Sequence, residues 1–222
     1  HYGTHPLGNI RKREEVVRYL SRLKSPKICE IGVREGYNFE LLLVPNAVEG
    51  IAVDMWRDTG DVAQNDRFEA QEELSNYYRD LYHKYKDNDR VSIIREHSVQ
   101  AATFFEDEYF DFVYIDADHT YEGVLADLQA WYPKVKMGGI IGGHDYAEEG
   151  MDGIDNWLLD FGVIKAVKEF RELHGILDHN FHTTGREHDG EEFWASYYIV
   201  KKEKDNIDAD LKKIGYLRGL GE

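Results

Sequence analysis

The sequence predicts an α/β fold with a doubly wound, mostly parallel sheet of seven strands and one antiparallel strand near the C-terminus. Short apolar runs alternate with segments of helical periodicity. A turn with a glycine at each end, residues 32–36, follows the first apolar run. Two late strands, 177–183 and 193–200, have no clear helix between them, which favours an antiparallel arrangement.

The chain has 222 residues, of which 42% are hydrophobic. This length suffices for one α/β domain with a full core, so residues 1–222 are expected to form a single domain. A helix at 10–23 belongs to an N-terminal cap, residues 1–25, and Pro26 separates it from the first strand. The other predicted elements are a strand at 28–31, helix 37–43, strand 48–53, helix 66–85, strand 91–94, helix 99–105, strand 110–115, helix 122–131, strand 139–143, helix 162–174 and a charged tail at 201–222.

The turn after the first strand has the features of a nucleoside-binding loop. Gly32 has no Cβ, so a ligand can lie against the main chain, and Gly36 lets the next helix begin close to the strand. Asp54 ends the second strand and can accept hydrogen bonds from ribose hydroxyls. The pattern E-x-G-x-x-x-G is not the G-x-G-x-x-G of dinucleotide-binding folds. Glu30 at its head would repel a diphosphate and attract an ammonium or a sulfonium.

Glu30, Gly32, Gly36 and Asp54 together resemble the motif of the class I S-adenosylmethionine-dependent methyltransferases. The resemblance implies a Rossmann-like sheet, S-adenosylmethionine as cofactor and these four residues as part of its site. Trp56 either lies against the adenine ring or is a core tryptophan. The resemblance also places a polar pair past the third strand near the adenine. That pair is His97 and Ser98, and Ser98 is alternatively an N-cap.

Two further strand ends carry carboxylates and imidazoles, at 116–119 and 144–145. Ligands of open α/β sheets bind outside the carboxyl ends of the strands. Neighbouring strands lie about 5 Å apart, so acids at adjacent ends can share one cation. The segment 115–146, IDADHTYEGVLADLQAWYPKVKMGGIIGGHDY, resembles small-molecule O-methyltransferases of the sugar and macrolide-sugar branch, and more distantly catechol O-methyltransferase.

This second resemblance implies a metal and a general base. Asp116 and Asp145 match acids that hold magnesium, and His144 stands where those enzymes have another acid. Manganese or iron accepts an imidazole more readily than magnesium does. His119 falls at the position of a lysine base, and Asp116 is assigned to the cofactor site and the catalytic group as well. The alternatives are that His144 only orients Asp145 and that His119 is a residue near a helix start.

The composition of the chain limits the classes of partner that it is expected to bind. A net charge of −16 argues against a nucleic-acid backbone or an anionic membrane as partner. The single cysteine excludes an intramolecular disulfide, and no apolar run reaches membrane-spanning length. No signal peptide is visible, so a cytoplasmic or other soluble setting is expected, and a homo-oligomer is compatible with the sequence.

The expected function is O-methylation of a small hydroxylated acceptor, such as a sugar or a natural product, with or without a divalent cation. Two alternatives remain. One is a module that binds S-adenosylmethionine without turnover. The other is a nicotinamide oxidoreductase, which the absent G-x-G-x-x-G disfavours.

Overall fold

The computed structural model describes residues 13–57, 71–146, 162–184 and 195–202. Several expectations fall outside these residues. They are the start of the N-terminal cap, the beginning of the helix at 66–85, the beginning of the strand at 193–200, and the tail beyond residue 202.

The described residues form one seven-stranded sheet in the order β3-β2-β1-β4-β5-β7-β6. The strands are β1 (Lys27–Ile31), β2 (Glu49–Asp54), β3 (Val91–Arg95), β4 (Phe110–Ile115), β5 (Val135–Gly143), β6 (Phe181–Thr183) and β7 (Tyr197–Val200). The helices are α1 (Arg13–Leu20), α2 (Tyr37–Leu42), α3 (Gln71–Tyr85), α4 (Ser98–Ala102), α5 (Tyr121–Trp131) and α6 (Val163–His174).

The direction of the strands confirms the predicted fold class. Strands β1 to β5 pair in parallel, whereas β7 lies antiparallel to both β5 and β6. Strand β7 is therefore the single antiparallel strand near the C-terminus. The central strands are apolar along their length because helices cover both faces of the sheet.

Alternate residues of each strand face opposite layers. In β4, Val113 faces the side covered by α4, α5 and α6, while Phe112 and Tyr114 face the side covered by α1 and α2. A third cluster packs α3 against the β2 edge through Leu81 and Trp56. The sheet is thus doubly wound. No helix within the described ranges is long and apolar enough to cross a membrane.

Some predicted boundaries were wrong. Strand β5 begins at Val135 rather than at 139, and its pairing with β4 shifts between Phe110 and Phe112. Residues 178–180 form a 3₁₀ turn instead of strand, because the Asn180 amide donates to the Leu177 carbonyl. The other boundary differences are one to four residues at the ends of α1, α2, α4, α5, α6, β1, β2, β3 and β7.

The register of the sheet brings the functional strand ends together. Ile31 pairs with Val53 on one side and Ile115 on the other, and Ile115 pairs with Gly143. Residues that immediately follow these positions therefore lie at one edge of the sheet.

Candidate functional site

A cleft of about 700 Å³ lies at the carboxyl edge of the sheet. This volume is typical of small-ligand sites. Its walls come from the ends of β1 to β5 and from one face of α5. The predicted site residues that line it are Glu30, Gly32, Asp54, His97, Ser98, Asp116, His119, His144 and Asp145.

The turn after β1 needs glycine for a reason internal to the protein. Gly32 has φ +82°, and a Cβ there would lie 1.9 Å from the carbonyl oxygen of Asp116. The Gly32 amide also donates to the Val53 carbonyl at 2.9 Å. Gly36 has φ +93°, and its Cβ would lie 2.5 Å from Leu81 Cδ2. Both glycines therefore allow the turn to pack against neighbouring segments, and Gly36 does not line the cleft.

Replacing Gly32 by alanine is expected to lower the free energy of unfolding by more than the same change at Gly138. Both residues have positive φ, but a Cβ at Gly138 (φ +79°) has nothing within 4 Å. Backbone strain alone costs of order 1–3 kcal/mol. Denaturant unfolding of both variants measures the difference, which isolates the clash with Asp116. Equal losses would contradict the close packing of the two loops.

Asp54 closes the turn against β2. Its Oδ2 accepts from the Arg34 amide at 2.8 Å and its Oδ1 accepts from the Trp56 amide at 2.6 Å. A carboxylate has about four acceptor sites, so hydrogen bonds from a ribose are compatible with these two contacts.

Glu30 is a buried carboxyl group at the bottom of the cleft, with 1% of its surface exposed. Asn38 Nδ2 donates to its Oε1 at 2.8 Å, whereas its Oε2 is buried and has no partner among the described residues. Burial raises the pKa of this carboxyl group well above its ordinary value, against the opposing hydrogen bond from Asn38. A cationic group bound in the cleft would satisfy the unpaired oxygen.

Trp56 does not face the cleft, so adenine contact, one of its two predicted roles, was wrong. Its side chain is fully buried, and its Nε1 donates to the Arg34 carbonyl at 2.8 Å. Its ring lies 5.2 Å from that of Tyr78 on α3. The alternative role as a core tryptophan therefore holds.

His97 and Ser98 lie at the start of α4, as expected, but Ser98 is not the N-cap. The N-cap is His97, and Ser98 is the first helical residue. Ser98 Oγ accepts from Trp131 Nε1 at 2.9 Å and hydrogen-bonds to Asp127. Sequence reasoning missed Asp127, which lines the same end of the cleft and is 4% exposed. Its position between the apolar Val124 and Leu128 on the inner face of α5 was the available signal.

The ends of β4 and β5 bring two imidazoles to one carboxylate. His119 Nε2 lies 2.9 Å from Asp145 Oδ2, and His144 Nδ1 lies 2.9 Å from Asp145 Oδ1. Asp116 Oδ1 lies 3.6 Å from His119 Nε2 and 4.0 Å from His144 Nδ1. We call these four residues the His–Asp cluster. Asp145 has φ +58°, a left-handed conformation that aspartate tolerates better than most residues.

The backbone fixes the members of the cluster. The Asp116 amide donates to the Ile31 carbonyl at 2.7 Å, and the His144 amide donates to the Ile115 carbonyl at 3.1 Å. The carbonyl of His119 accepts from the Gly162 amide at 2.8 Å. These bonds hold both loops on the sheet, so the cluster does not depend on long flexible segments.

Within the His–Asp cluster, hydrogen bonds and charges shift the pKa values in the direction opposite to burial. Burial alone would raise the pKa of Asp145, but hydrogen bonds from His119 and His144 hold that pKa well below its ordinary value. Burial alone would lower the pKa of His144, but the Asp145 hydrogen bond and the nearby Asp116 charge raise that pKa. Asp145 is therefore a carboxylate at neutral pH.

A metal ion fits part of this arrangement. One ligand atom from each of Asp116, His144 and Asp145 lies within 4.8 Å of the others. Two carboxylates and an imidazole match the donors of manganese, iron and zinc sites better than those of magnesium sites.

A family model described as a methyltransferase domain matches residues 29–146, which contain the glycine turn, Asp54 and the whole His–Asp cluster. The chain belongs to this methyltransferase family. Its members' cofactor is S-adenosylmethionine, and the sheet order seen here is that of the class I fold, as the resemblance of Glu30, Gly32, Gly36 and Asp54 predicted.

The individual relatives are distant. The chain is 24% identical over 166 residues to the uncharacterised protein y4gI of Sinorhizobium fredii (strain NBRC 101917 / NGR234), and it spans 17% of the length of that relative. The O-methyltransferase NovP superposes with a TM-score of 0.55 at 15% identity, over 85% of this chain and 80% of NovP. Spermidine synthase from Thermotoga maritima superposes with a TM-score of 0.50 at 17% identity, over 93% of this chain and 62% of the synthase. These likenesses show the fold.

Proposed function

We propose that this methyltransferase transfers a methyl group to the hydroxyl of a small molecule such as a sugar or a natural product. The observation that carries the proposal is the coexistence, in one cleft, of the unpaired Glu30 carboxyl oxygen and the His–Asp cluster. The first suits the cationic end of S-adenosylmethionine. The second suits a hydroxyl that must lose its proton.

Different residues along the cleft bind different parts of the cofactor. Glu30 receives the amino group of the cofactor, Asp54 its ribose, and His97 with Ser98 its adenine end. S-adenosylmethionine supplies the methyl group as a sulfonium. Asp116 stands between the two halves, because its backbone packs on Gly32 while its carboxylate faces the cluster.

At the cluster end, an imidazole takes the proton of the acceptor hydroxyl. His119 is the base that the sequence predicts, and His144 is the other imidazole of the cluster. A divalent cation held by Asp116, His144 and Asp145 would lower the pKa of a bound hydroxyl. The acceptor is a small molecule because the net charge of −16 disfavours a nucleic-acid chain.

The experiment that tests the proposal has two arms. Calorimetric titration with S-adenosylhomocysteine, against NAD as the competing ligand class, tests the cofactor site. Transfer of a labelled methyl group to a library of hydroxylated compounds tests the reaction. Binding of S-adenosylhomocysteine without transfer to any hydroxyl would favour the module that binds the cofactor without turnover.

Replacing Asp54 by alanine is expected to weaken binding of S-adenosylhomocysteine by about 10–150-fold. The reason is the loss of hydrogen bonds to a charged group, worth about 1.5–3 kcal/mol. Calorimetric titration measures the change, and the exposed Asp87→Ala variant is the control. Unchanged affinity would show that the ribose lies elsewhere.

Binding of S-adenosylhomocysteine is expected to strengthen as pH rises through the raised pKa of Glu30. Burial favours the protonated form, the nearby Asp116 and Asp54 charges favour it too, and Arg13 and the Asn38 hydrogen bond oppose it. A bound ammonium favours the carboxylate, so binding below that pKa must release a proton. The affinity therefore changes by at most about tenfold per pH unit.

Titration at several pH values checks this dependence. Glu30→Gln keeps the shape of the side chain without the ionisation, so its affinity should lose this pH dependence. A slope that persists in Glu30→Gln would assign the dependence to another group.

A further inference from the structure

Arg13 is a partly buried arginine on the inner face of α1, and it precedes the residues that the family model matches. Val16 and Leu20 follow it on the same face of the helix, and both of their side chains are fully buried against the sheet. The Nε of Arg13 is inaccessible to solvent. Burial of a charged group costs free energy unless other groups compensate the charge. The neighbours of Arg13 are therefore expected to explain its presence on this face.

Two hydrogen bonds connect Arg13 to the carboxyl group of Glu30 through Asn38. Arg13 Nη1 donates to Asn38 Oδ1 at 2.8 Å, and Asn38 Nδ2 donates to Glu30 Oε1 at 2.8 Å. The guanidinium carbon also lies 5.8 Å from the centre of the Tyr114 ring, within the range of a cation–π contact. Asn38 and Glu30 line the cleft, whereas Arg13 does not. Arg13 therefore acts on the cofactor site from behind the wall of the cleft.

The donors and acceptors of this chain of bonds fix the orientation of the Asn38 amide. A guanidinium group only donates, so the atom of Asn38 that faces Arg13 must be the amide oxygen. The amide nitrogen then faces Glu30 and can only donate, so Glu30 must accept at Oε1. A hydrogen bond donated to a carboxylate favours the ionised form. Burial raises the pKa of Glu30, and the Asn38 hydrogen bond and the Arg13 charge both act against that effect.

We propose that Arg13 is a positioning residue for the cofactor and that, by fixing the amide of Asn38, it gives the cleft its preference for a ligand with a free amino group. Glu30 Oε1 is committed to Asn38, so Oε2, which has no partner among the described residues, receives the ammonium. The inference rests on the proposed function in placing the amino group of the cofactor at Glu30. It adds that α1, which precedes the matched residues 29–146, takes part in recognising that group.

The alternative is that Arg13 only fastens α1 to α2. A fastening contact needs a hydrogen bond between Arg13 and Asn38, but it does not need a particular direction of that bond. Val16 and Leu20 already hold α1 in an apolar cluster, and an apolar side chain at position 13 would extend that cluster without burying a charge. A charged group that only donates is explained by the orientation that it imposes on Asn38.

The test compares two ligands by calorimetric titration of the full chain. They are S-adenosylhomocysteine and its analogue in which hydrogen replaces the amino group, so the ratio of their dissociation constants reports the amino group alone. Arg13→Gln keeps a side chain that can hydrogen-bond to Asn38 but that accepts as well as donates, so the Asn38 amide is no longer fixed. We expect this variant to bind S-adenosylhomocysteine about 3–10-fold more weakly, the effect of about one net hydrogen bond, and to bind the analogue within about twofold of the unmodified chain.

Two further variants separate direction from fastening. Arg13→Lys keeps a positively charged group that only donates, so it should retain most of the preference for the amino group. Arg18→Gln, at an exposed position of the same helix, is the matched control and should bind both ligands as the unmodified chain does. Binding of the analogue reports the folded cleft in every variant, so a general loss of structure cannot produce a change in the ratio.

An unchanged ratio in Arg13→Gln would overturn the proposal. If both ligands then bind equally weakly, Arg13 holds α1 in place or contacts the carboxylate that the two ligands share. The measurement does not depend on methyl transfer. The expected ratios without methylation of any hydroxyl would leave this inference standing while the proposed function fails. Methylation of a hydroxyl with an unchanged ratio would do the reverse.

Discussion

Replacing His119 by alanine is expected to lower the turnover of methyl transfer by about 10²–10⁴-fold, the usual contribution of a positioned acid–base group. As the base, His119 would remove the acceptor proton. Affinity for S-adenosylhomocysteine should remain within about twofold, because the cofactor end of the cleft uses Glu30 and Asp54 instead.

Steady-state kinetics with a saturating acceptor, combined with calorimetric titration of S-adenosylhomocysteine, measure the two quantities separately. His83→Ala is the control for loss of a histidine, since His83 lies exposed on α3. Turnover retained in His119→Ala would limit the His119 side chain to a structural role through its contact with Asp145.

The sequence predicted the succession of strands along the chain and their mostly parallel direction, because the hydrophobic pattern of buried strands is pronounced there. Strands β1, β2 and β4 are buried on both faces, so they are short apolar runs between helical segments. The predicted strand boundaries were less accurate where a strand is partly exposed. The beginning of β5 contains Met137, Gly138 and Gly139, which carry no strand pattern. Pairing with β4 and backbone hydrogen bonds of Gly138 and Gly139 to Lys201 extend the strand.

The location of the site could be predicted from the topology of the sheet, but the contacts within the site could not. Carboxyl ends of parallel strands meet at one edge, so the residues after β1, β2, β4 and β5 were expected to be neighbours. The contact between His119 and Asp145 follows from this topology only approximately. It depends on the loop geometry after β4, including the hydrogen bond from the Thr120 amide to Asp118.

Two residues could not be placed from the pattern. Trp56 follows an acid at a strand end, a position equally compatible with ligand contact and core packing. Its direction is set by φ +42° and by α3, which supplies Tyr78 and Leu81. Asp127 lies on the buried face of α5, where an aspartate is unexpected, and its contact with Ser98 joins residues far apart in sequence.

Replacing Asp127 by asparagine is expected to stabilise the protein at pH 8 by up to about 4 kcal/mol. Burial raises the pKa of this carboxyl group from 3.8 to about 7, with a smaller contribution from the Asp118 charge and an opposing hydrogen bond from Ser98. Each pKa unit corresponds to about 1.36 kcal/mol between the protonation states. An asparagine side chain at this position keeps an oxygen acceptor for Ser98 and has no charge to desolvate.

The sign of the pH dependence follows from proton binding. Because the pKa is higher in the folded state, the folded state holds the proton more tightly than the unfolded chain between pH 3.8 and about 7. The stability contributed by protonated Asp127 is complete below pH 3.8 and is lost as pH rises to about 7. The advantage of Asp127→Asn should therefore be largest at pH 8 and should vanish near pH 4.

Urea unfolding at pH 4, 6 and 8 measures this difference between the variant and the unmodified protein, so that other titrating groups cancel. Asp87→Asn, at an exposed position in the turn after α3, is the matched control and should show no such trend. A stability difference that stays constant with pH would mean that Asp127 remains ionised throughout. Its carboxylate would then have to be solvated through the cleft that it lines, which makes it accessible to the adenine end of a bound cofactor.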